Sequence, residues 1–370
     1  MALLGFDSGE ATRFPHFAYY NTDSAWIQIA NQPSPWQIKT DNETSGSAGV
    51  YEHITDVPDP PFGSTAFQTL TYNSGSRTAM RRTFTDTPLS ESFISFWFAS
   101  GFGTIDREFF TLTDASGTIS VQLRLDSSGN ILVFAGATPT LVGTIPAGFS
   151  GGASTWHLIQ LHQKVSTNTL ELKVDGSGVI DCSGTSMLPC SFIVLGNITT
   201  TWSHIYRSCF TAIQINDPTG STNNSWPGTS KTTTALRPKA DTAVQNWSPS
   251  SGPSGFAMIE ETNPDLDTTY LVSHAFDDVS TFDLDTLTLP VGSAISGICL
   301  TAVAKRADAA YLIPVVSRGE STPDLSALKL PVGLDYMTPL EWFLELDPIT
   351  SAPWTLANLN STHFGFKHSN

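Results

Sequence analysis

Closely spaced carboxylates are the first residues in this sequence whose types and spacing could do chemistry. No Lys or Arg occurs between Lys239 and Lys305, and that span holds Glu260, Glu261, Asp265, Asp267, Asp277, Asp278, Asp283 and Asp285. Calcium takes about six to eight oxygen ligands, which neighbouring aspartates can supply. We therefore take Asp265, Asp267, Asp283 and Asp285 as candidate calcium ligands. A solvated strand face, or attraction of a cation or a basic partner subunit, explains the same pattern.

A second acidic group consists of Glu341, Glu345 and Asp347. Two carboxylates that flank a sugar bond are the machinery of glycoside hydrolysis, so Glu341 or Glu345 is a candidate for a polysaccharide depolymerase. The compact Glu-x-Asp-x-Glu spacing of such hydrolases is absent, however, and so is the G-x-S-x-G turn of serine hydrolases. An alternating apolar and acidic strand is typical of a half-exposed position. We expect the chain not to be an enzyme.

Four tryptophans lie in polar, turn-rich contexts: Trp26, Trp36, Trp226 and Trp247. The apolar face of a sugar ring can stack on an indole, so these residues are candidates for glycan binding. They could equally plug the ends of a β-sandwich or form subunit contacts. The eight histidines are scattered, and His157 and His162, five apart on a strand, would point to opposite faces. No metal site follows from them.

Composition excludes two classes of partner. The 370 residues carry a net charge of −16, and only 14% of them are charged. Nucleic-acid affinity depends on Lys and Arg neutralising phosphates, so we expect no nucleic acid as a partner. An acidic chain is also repelled by anionic lipid, and the longest apolar run, residues 93–99, is too short to span a bilayer, so we expect no membrane insertion. Asp7 and Glu10 stand where a secretion signal would need positive charge.

Short strands separated by polar turns account for the whole pattern and predict an all-β chain. Between Ile119 and Leu125 apolar and polar residues alternate, and Asp126–Asn130 then supplies a turn, which predicts a hairpin with one buried face. The apolar runs 93–98 and 156–161 are typical of central strands that are covered on both sides. Past Trp247 the strand pattern restarts at 270–273, 281–287, 298–305, 311–316 and 341–346. No helix is needed in either half.

The segment 217–228, Asp-Pro-Thr-Gly-Ser-Thr-Asn-Asn-Ser-Trp-Pro-Gly, has the composition of a connection between domains. We therefore predict a first domain over residues 1–216, a linker over 217–244 that could contain one extra strand, and a second domain over 245–370. The four cysteines match neither zinc nor redox spacings, so we expect free thiols.

Several segments of the second half resemble tailed-bacteriophage virion proteins, and they stand in the order of that family. The residues that carry the resemblance are Asp217–Asn224, Asn263–Ser273, Thr281–Leu284, Ala302–Ala309, Pro314–Gly319, Asp347-Pro348, Trp354-Thr355, Leu359-Asn360 and Phe364-Gly-Phe-Lys367. Over residues 1–216 the resemblance is one of strand and turn rhythm, with Trp156 opening a strand. Two features depart from the family: the strand Lys231–Thr234 is less acidic and apolar, and Pro314 interrupts a strand, which suggests an edge position.

The resemblance implies two β-sandwich domains in tandem, the first a jelly roll similar to laminin-G and concanavalin modules. It also implies a structural component of a tail, fibre or head appendage, located in the virion after assembly in the bacterial cytoplasm. Other virion proteins and further copies of the chain would be the partners. The family carries no catalytic residues that could be transferred. A carbohydrate-binding adhesin, whose first domain reads a host surface glycan, is the alternative, and a depolymerase is the third possibility.

Overall fold

The protein is described from a computed structural model. The structure describes residues 3–7, 18–19, 27–28, 36–41, 48–51, 67–71, 77–83, 88–101, 107–149, 155–183, 186–198, 206–220, 222–228, 234–260, 265–306, 310–334 and 340–370. The chain divides into two compact units. The first contains residues 1–30 and 35–233, and the second contains residues 31–34 and 234–370.

The first unit is built from strands alone, apart from one 3-10 turn at Val165–Thr167, in the part of it that the structure describes. These strands are β1 Leu3–Asp7, β2 Ala18–Tyr19, β3 Ile27–Gln28, β4 Trp36–Asp41, β5 Ala48–Tyr51, β6 Phe67–Thr71, β7 Arg77–Thr83, β8 Glu91–Gly101, β9 Arg107–Thr113, β10 Ile119–Leu125, β11 Asn130–Ala135, β12 Thr140–Pro146, β13 His157–Lys164, β14 Thr169–Val174, β15 Ile180–Asp181, β16 Phe192–Gly196 and β17 Tyr206–Asn216.

These strands form two antiparallel sheets packed face to face. One sheet has the order β15-β14-β13-β8-β17-β6-β5-β2, with β1 paired to β17, and the other has the order β12-β11-β10-β9-β16-β7-β4-β3. Alternate residues of both sheets meet in one core, because successive side chains of a strand point to opposite faces. Phenylalanines dominate its centre: Phe96 stacks on Phe110 with ring centroids 4.9 Å apart, and Phe98 stacks on Phe109 at 4.2 Å.

The second unit contains shorter strands and one short helix. Its elements are β18 Pro238–Gln245, β19 Ser248–Pro249, β20 Leu271–Val272, β21 Val279–Leu284, β22 Ile298–Ala302, β23 Tyr311–Ser317, β24 Leu330–Pro331, β25 Leu340–Leu344, β26 Leu346–Asp347, β27 Ala352–Pro353, α1 Leu356–Asn360 and β28 His363–Ser369, with 3-10 turns at Phe256–Met258 and Ser326–Leu328.

A five-stranded sheet of order β18-β21-β28-β23-β24 forms the centre of this unit. The two-stranded ladder β22-β25 shares its hydrophobic core, which contains Leu300, Val316, Trp342 and Phe364. Pro314 lies in β23, whose partner β24 contacts only Tyr311 and Leu312. Beyond Leu312, β23 therefore has β28 as its one neighbour among the described strands, which confirms the edge position.

The all-β prediction is confirmed, and so are its clearest elements. The hairpin at Asp126–Asn130 joins β10 to β11, with Leu125 paired to Ile131. The central position of run 93–98 is also confirmed, since β8 lies between β13 and β17. The sequence predicted no helix, whereas α1 begins after Thr355, whose hydroxyl accepts a hydrogen bond from the Asn358 amide at 3.1 Å. A five-residue helix is too short to show a period, which is why the pattern missed it.

The predicted linker, residues 217–244, is divided between the two units. Residues up to 228 belong to the first unit, and β18 is a strand of the second unit's sheet. Among the described residues, no helix is long and apolar enough to cross a membrane.

Thiol reactivity tests this fold directly. Cys182, Cys190 and Cys209 are buried thiols that form no disulfide, and Cys299 is an exposed one. Burial raises the pKa of Cys190 to about 11, so its reactive thiolate is scarce at neutral pH. We expect Ellman's reagent to label one thiol rapidly in the native protein and all four in denaturant. The Cys299→Ser variant should lack the fast phase, and a second fast thiol in that variant would contradict the described core.

Candidate functional site

Two carboxylates of the acidic segment in the second unit form ion pairs with lysines that lie far away in the sequence. Asp267 forms an ion pair with Lys305, and Asp277 forms one with Lys367 at 2.6 Å. Asp283 lies 3.1 Å from the His363 ring. The carboxylates are therefore less unbalanced than the sequence suggests, because folding brings later basic residues to them.

The four candidate calcium ligands occupy separate roles. Asp265 accepts the Thr269 amide at 2.8 Å and closes a turn, and Asp285 exchanges hydrogen bonds with the Arg237 backbone. Asp267 forms the ion pair with Lys305, and Asp283 lies beside the His363 ring. Across the residues that the structure describes, no three His, Cys, Asp or Glu side chains are grouped to hold a metal ion. The structure thus does not bring the four aspartates together.

The Asp347 side chain is buried in the second unit and bonded to several of its residues. It is 0% exposed and accepts hydrogen bonds from Arg318 Nη2 at 2.8 Å, the Ile349 amide at 3.0 Å and Asn358 Nδ2 at 3.1 Å. Burial would raise the pKa of Asp347, but these bonds and the Arg318 charge hold it below its ordinary value. Glu341 lies on β25, on the face opposite the one that buries Trp342, and the buried Asp347 ends the next strand, β26.

The four candidate tryptophans have different fates. Trp26 lies outside the described residues, and Trp36 is the first residue of β4, with its side chain also outside the described part of the structure. Trp247 packs against the second unit's core, and its indole nitrogen donates to the Asp278 carbonyl at 3.1 Å. Trp247 therefore matches the structural alternative, a residue that closes a core.

Trp226 anchors a strap, residues 222–228, on the outer face of the nine-stranded sheet. Gln160 Nε2 donates to the Pro227 carbonyl at 2.6 Å, and Asn216 Nδ2 donates to the Ser225 carbonyl at 2.9 Å. The Lys173 ammonium lies 4.1 Å from the Trp226 ring centroid, while Phe93 contacts it edge-on at 5.9 Å. One face of this indole is thus covered by protein, and the turn-rich segment is held to the sheet by buried amides.

A charged row lies beside this strap. The His162 ring stacks on Phe93 at 4.2 Å, and its two nitrogens lie 2.8 Å from Glu171 and 3.0 Å from Glu91. Lys164 also contacts Glu91, at 2.9 Å. Burial acts to raise the pKa of Glu91, but hydrogen bonds from Lys164 and His162 outweigh it and lower that pKa. Glu91 therefore stabilises the folded sheet in its ionised form.

We expect acid to destabilise the first unit in a defined pH window. The pKa of Asp126 is lowered from its ordinary value of 3.8: partial burial opposes this, but hydrogen bonds from Asn130 and the Ser128 amide prevail. A depressed carboxyl pKa contributes stability that is complete above the unfolded value and is lost as pH falls through the folded value. The urea midpoint should therefore fall progressively below about pH 4.

The variant Asp126→Asn provides the control for this pH effect. Its side-chain carbonyl can still accept the turn amides, yet it cannot titrate. Its acid limb should be shallower than that of the wild type, and an identical pH profile for the two proteins would remove Asp126 from the explanation.

Two arginines with matching surroundings lie on the outer face of the eight-stranded sheet. Arg124 Nε donates to Gln122 Oε1 at 2.6 Å, and its guanidinium carbon lies 4.4 Å from the Phe134 ring centroid. Arg81 Nε likewise donates to Gln37 Oε1 at 2.8 Å, with its guanidinium 4.6 Å from the Phe192 centroid. Each guanidinium is thus held by an amide on one side and an aromatic ring beneath, which fixes its orientation.

The two arginines form separate patches. Cross-strand register places Thr111 and Val194 between them, and both are buried. Three strand spacings separate β10 from β7, or about 14 Å. We call Arg124, Phe134, Leu132 and Leu141 the Arg124 patch. Phe134 pairs with Leu141, and Leu132 pairs with Arg124, so all four lie on one face.

The sequence predicted that Gln122 and Arg124 alternate with core residues and face outward, but it did not single them out. Their chemistry depends on the register of β11, which sets Phe134 opposite Gln122. The turn Asp126–Asn130 sets that register, and the sequence alone predicts this turn. Arg81, Gln37 and Phe192 come instead from strands β7, β4 and β16, which are far apart in the sequence, and no local pattern indicates that these residues meet.

Comparisons with known proteins identify no family. No protein-family model matches the chain, and no curated protein matches it. Solved structures with a similar arrangement include a carbohydrate esterase from Shiga toxin-encoding bacteriophage phi24B, at 12% identity and a TM-score of 0.34, covering 52% of this chain and 95% of that chain. Cellulose induced protein Cip1 matches at 12% identity and a TM-score of 0.33, covering 52% of this chain and 92% of that chain.

The receptor binding domain of botulinum neurotoxin C/D mosaic serotype also matches, at 12% identity and a TM-score of 0.33. The match covers 46% of this chain and 43% of that chain, so it spans less than half of the neurotoxin structure. Similarities at these TM-scores carry no argument about function.

Proposed function

We propose that this chain is a non-enzymatic structural protein of a tailed-phage particle, assembled as a homo-oligomer with other virion proteins on a tail or head appendage. The observation that carries the proposal is the role of the residues behind the family resemblance. Arg318 forms an ion pair with the fully buried Asp347 carboxylate, and Trp354, Leu359 and Phe364 lie in the core of the second unit. These five residues, which belong to the segments that carry the resemblance, therefore stabilise the fold of the second unit.

Gly365 in the segment Phe364–Lys367 is a further example. A Cβ atom at this position would lie 1.9 Å from the Ser280 carbonyl oxygen of the neighbouring strand, so only glycine allows β28 to approach β21. Motif residues that are explained by packing point to a shared domain rather than to chance composition.

Mass spectrometry of purified particles tests this proposal. We expect peptides of this chain in particles that band at constant density, in a fixed ratio to the other virion proteins. Peptides found only in the soluble lysate, and absent from the particles, would overturn it.

Carbohydrate binding by the first unit is a second candidate function. The observation that favours it is the Arg124 patch, where a planar cation, an aromatic ring and a 54% exposed leucine lie side by side. Binding sites combine apolar surface with a few oriented polar groups in this way. Binding of the purified chain to host capsule or lipopolysaccharide, retained without residues 234–370, would support this function, and no binding by the full chain would exclude it.

A depolymerase is the weakest of the three. It would need Glu341 or Glu345 to act without Asp347, whose oxygens are all engaged in the fold. Release of oligosaccharide that is lost in Glu345→Gln would be required to revive it.

A further inference from the structure

We infer that the Arg124 patch binds an acidic sugar, with the Arg124 guanidinium pairing to the sugar's carboxylate. This inference rests on the carbohydrate-binding function proposed above and names its ligand class. The first support is the state of Arg124 itself. The side chain of the fully buried Gln122 accepts a hydrogen bond from Arg124 Nε. Within the described part of the chain, Arg124 Nη1 and Nη2 donate no hydrogen bond.

Preorganisation is the second support. A free arginine loses side-chain entropy when it binds an anion, whereas the Arg124 guanidinium already rests 4.4 Å above the Phe134 ring and is held at Nε. The two terminal nitrogens of a guanidinium match the two oxygens of a carboxylate. Arg124 thus offers a fixed, half-exposed fork instead of a mobile charge.

The charges around Arg124 leave it available to a ligand. The acid nearest in register, Glu108, is fully buried and accepts hydrogen bonds from Thr111 Oγ1 at 2.6 Å and the Ile198 amide at 3.3 Å. Glu108 and Arg124 both belong to the described residues, and they form no ion pair with each other. The guanidinium therefore keeps its positive charge for a partner outside the patch.

The apolar neighbours select a sugar over a dense polyanion. Phe134 and the 54% exposed Leu141 form a cross-strand pair next to the fork, so the C–H face of a sugar ring has a surface to lie on. A net charge of −16 repels a nucleic acid, whose charges are closely spaced, far more than a glycan with one carboxylate per repeat. An acidic glycan therefore fits both the patch and the chain.

The test measures binding of the full chain to uronate- and sialate-bearing oligosaccharides and to their carboxyl-reduced counterparts by calorimetry or biolayer interferometry. We expect the acidic members to bind more tightly, and Arg124→Gln to weaken that binding about 10- to 100-fold while leaving the reduced sugars unaffected. Arg124→Lys keeps the charge but loses the fork, so it should fall between the two. Lys239→Gln makes the same charge change at an exposed residue of the second unit and should have no effect.

The outcomes separate this inference from the proposed function. Equal binding of acidic and reduced sugars would overturn the acidic-sugar inference and leave carbohydrate binding intact. Acidic binding that survives Arg124→Gln in a protein of unchanged melting temperature would overturn the site. No binding of any glycan, or tighter binding of a single-stranded oligonucleotide, would overturn the carbohydrate function and the inference together.

Discussion

Asp347→Asn is expected to lower the free energy of unfolding of the second unit by about 3–5 kcal/mol. The Asp347 carboxylate is fully buried and accepts hydrogen bonds from Arg318, Asn358 and the Ile349 amide. An asparagine keeps one acceptor oxygen but turns an N–H₂ group towards other donors, and it leaves the Arg318 charge uncompensated. Hydrogen exchange of peptides from residues 311–370 during a urea titration would measure the loss.

The matched control is Asp267→Asn, which removes an exposed carboxylate from its pair with Lys305. Exposed ion pairs contribute at most about 1 kcal/mol, so this variant should unfold close to the wild-type midpoint. If Asp347→Asn and Asp267→Asn had the same urea midpoint, the buried ion pair would not stabilise the second unit.

Phe98→Ala is expected to destabilise the first unit by about 3–5 kcal/mol. The Phe98 side chain is fully buried between the two sheets and contacts the rings of Phe109 at 4.2 Å, Phe149 at 5.3 Å and Phe210 at 5.4 Å. Its removal leaves a cavity. The surrounding rings cannot fill this cavity, because they are held in place on several different strands. Labelling of the buried thiols Cys182, Cys190 and Cys209 in rising urea reports the unfolding of this unit.

Phe276→Ala deletes a phenylalanine that is 52% exposed, in the second unit, and should leave the labelling of those three thiols unchanged. Equal labelling of Phe98→Ala and wild type at every urea concentration would mean that the described core does not hold the sheets together.

Local pattern accounts for much of the fold. Alternation predicted β10 and β11, and continuous apolar runs predicted the central strands β8 and β13, because burial on one or both faces leaves a period in the sequence. The pairing of β8 with β17 joins residues more than a hundred positions apart, and no local period indicates it. The sequence also did not predict the short helix α1, because five residues are too few to show a period.

The candidate sites show where local pattern ends. Asp265, Asp267, Asp283 and Asp285 are close in sequence, but each has a different partner in the fold. Asp347 has the residue type of a catalytic acid, yet it is a buried structural residue. Arg124 carried no signal of its own, and only the register of the hairpin sets it over Phe134.

By itself, the sequence determined the strand character of the chain and the acidic balance that disfavours nucleic acid, because both follow from composition and from neighbours along the chain. The tertiary structure decided which charges are neutralised. Lys305 and Lys367 reach Asp267 and Asp277 across gaps of tens of residues, and Arg318 closes on Asp347 inside the second core. An ion pair depends on a distance in space, which strand pairing sets and which sequence spacing does not contain.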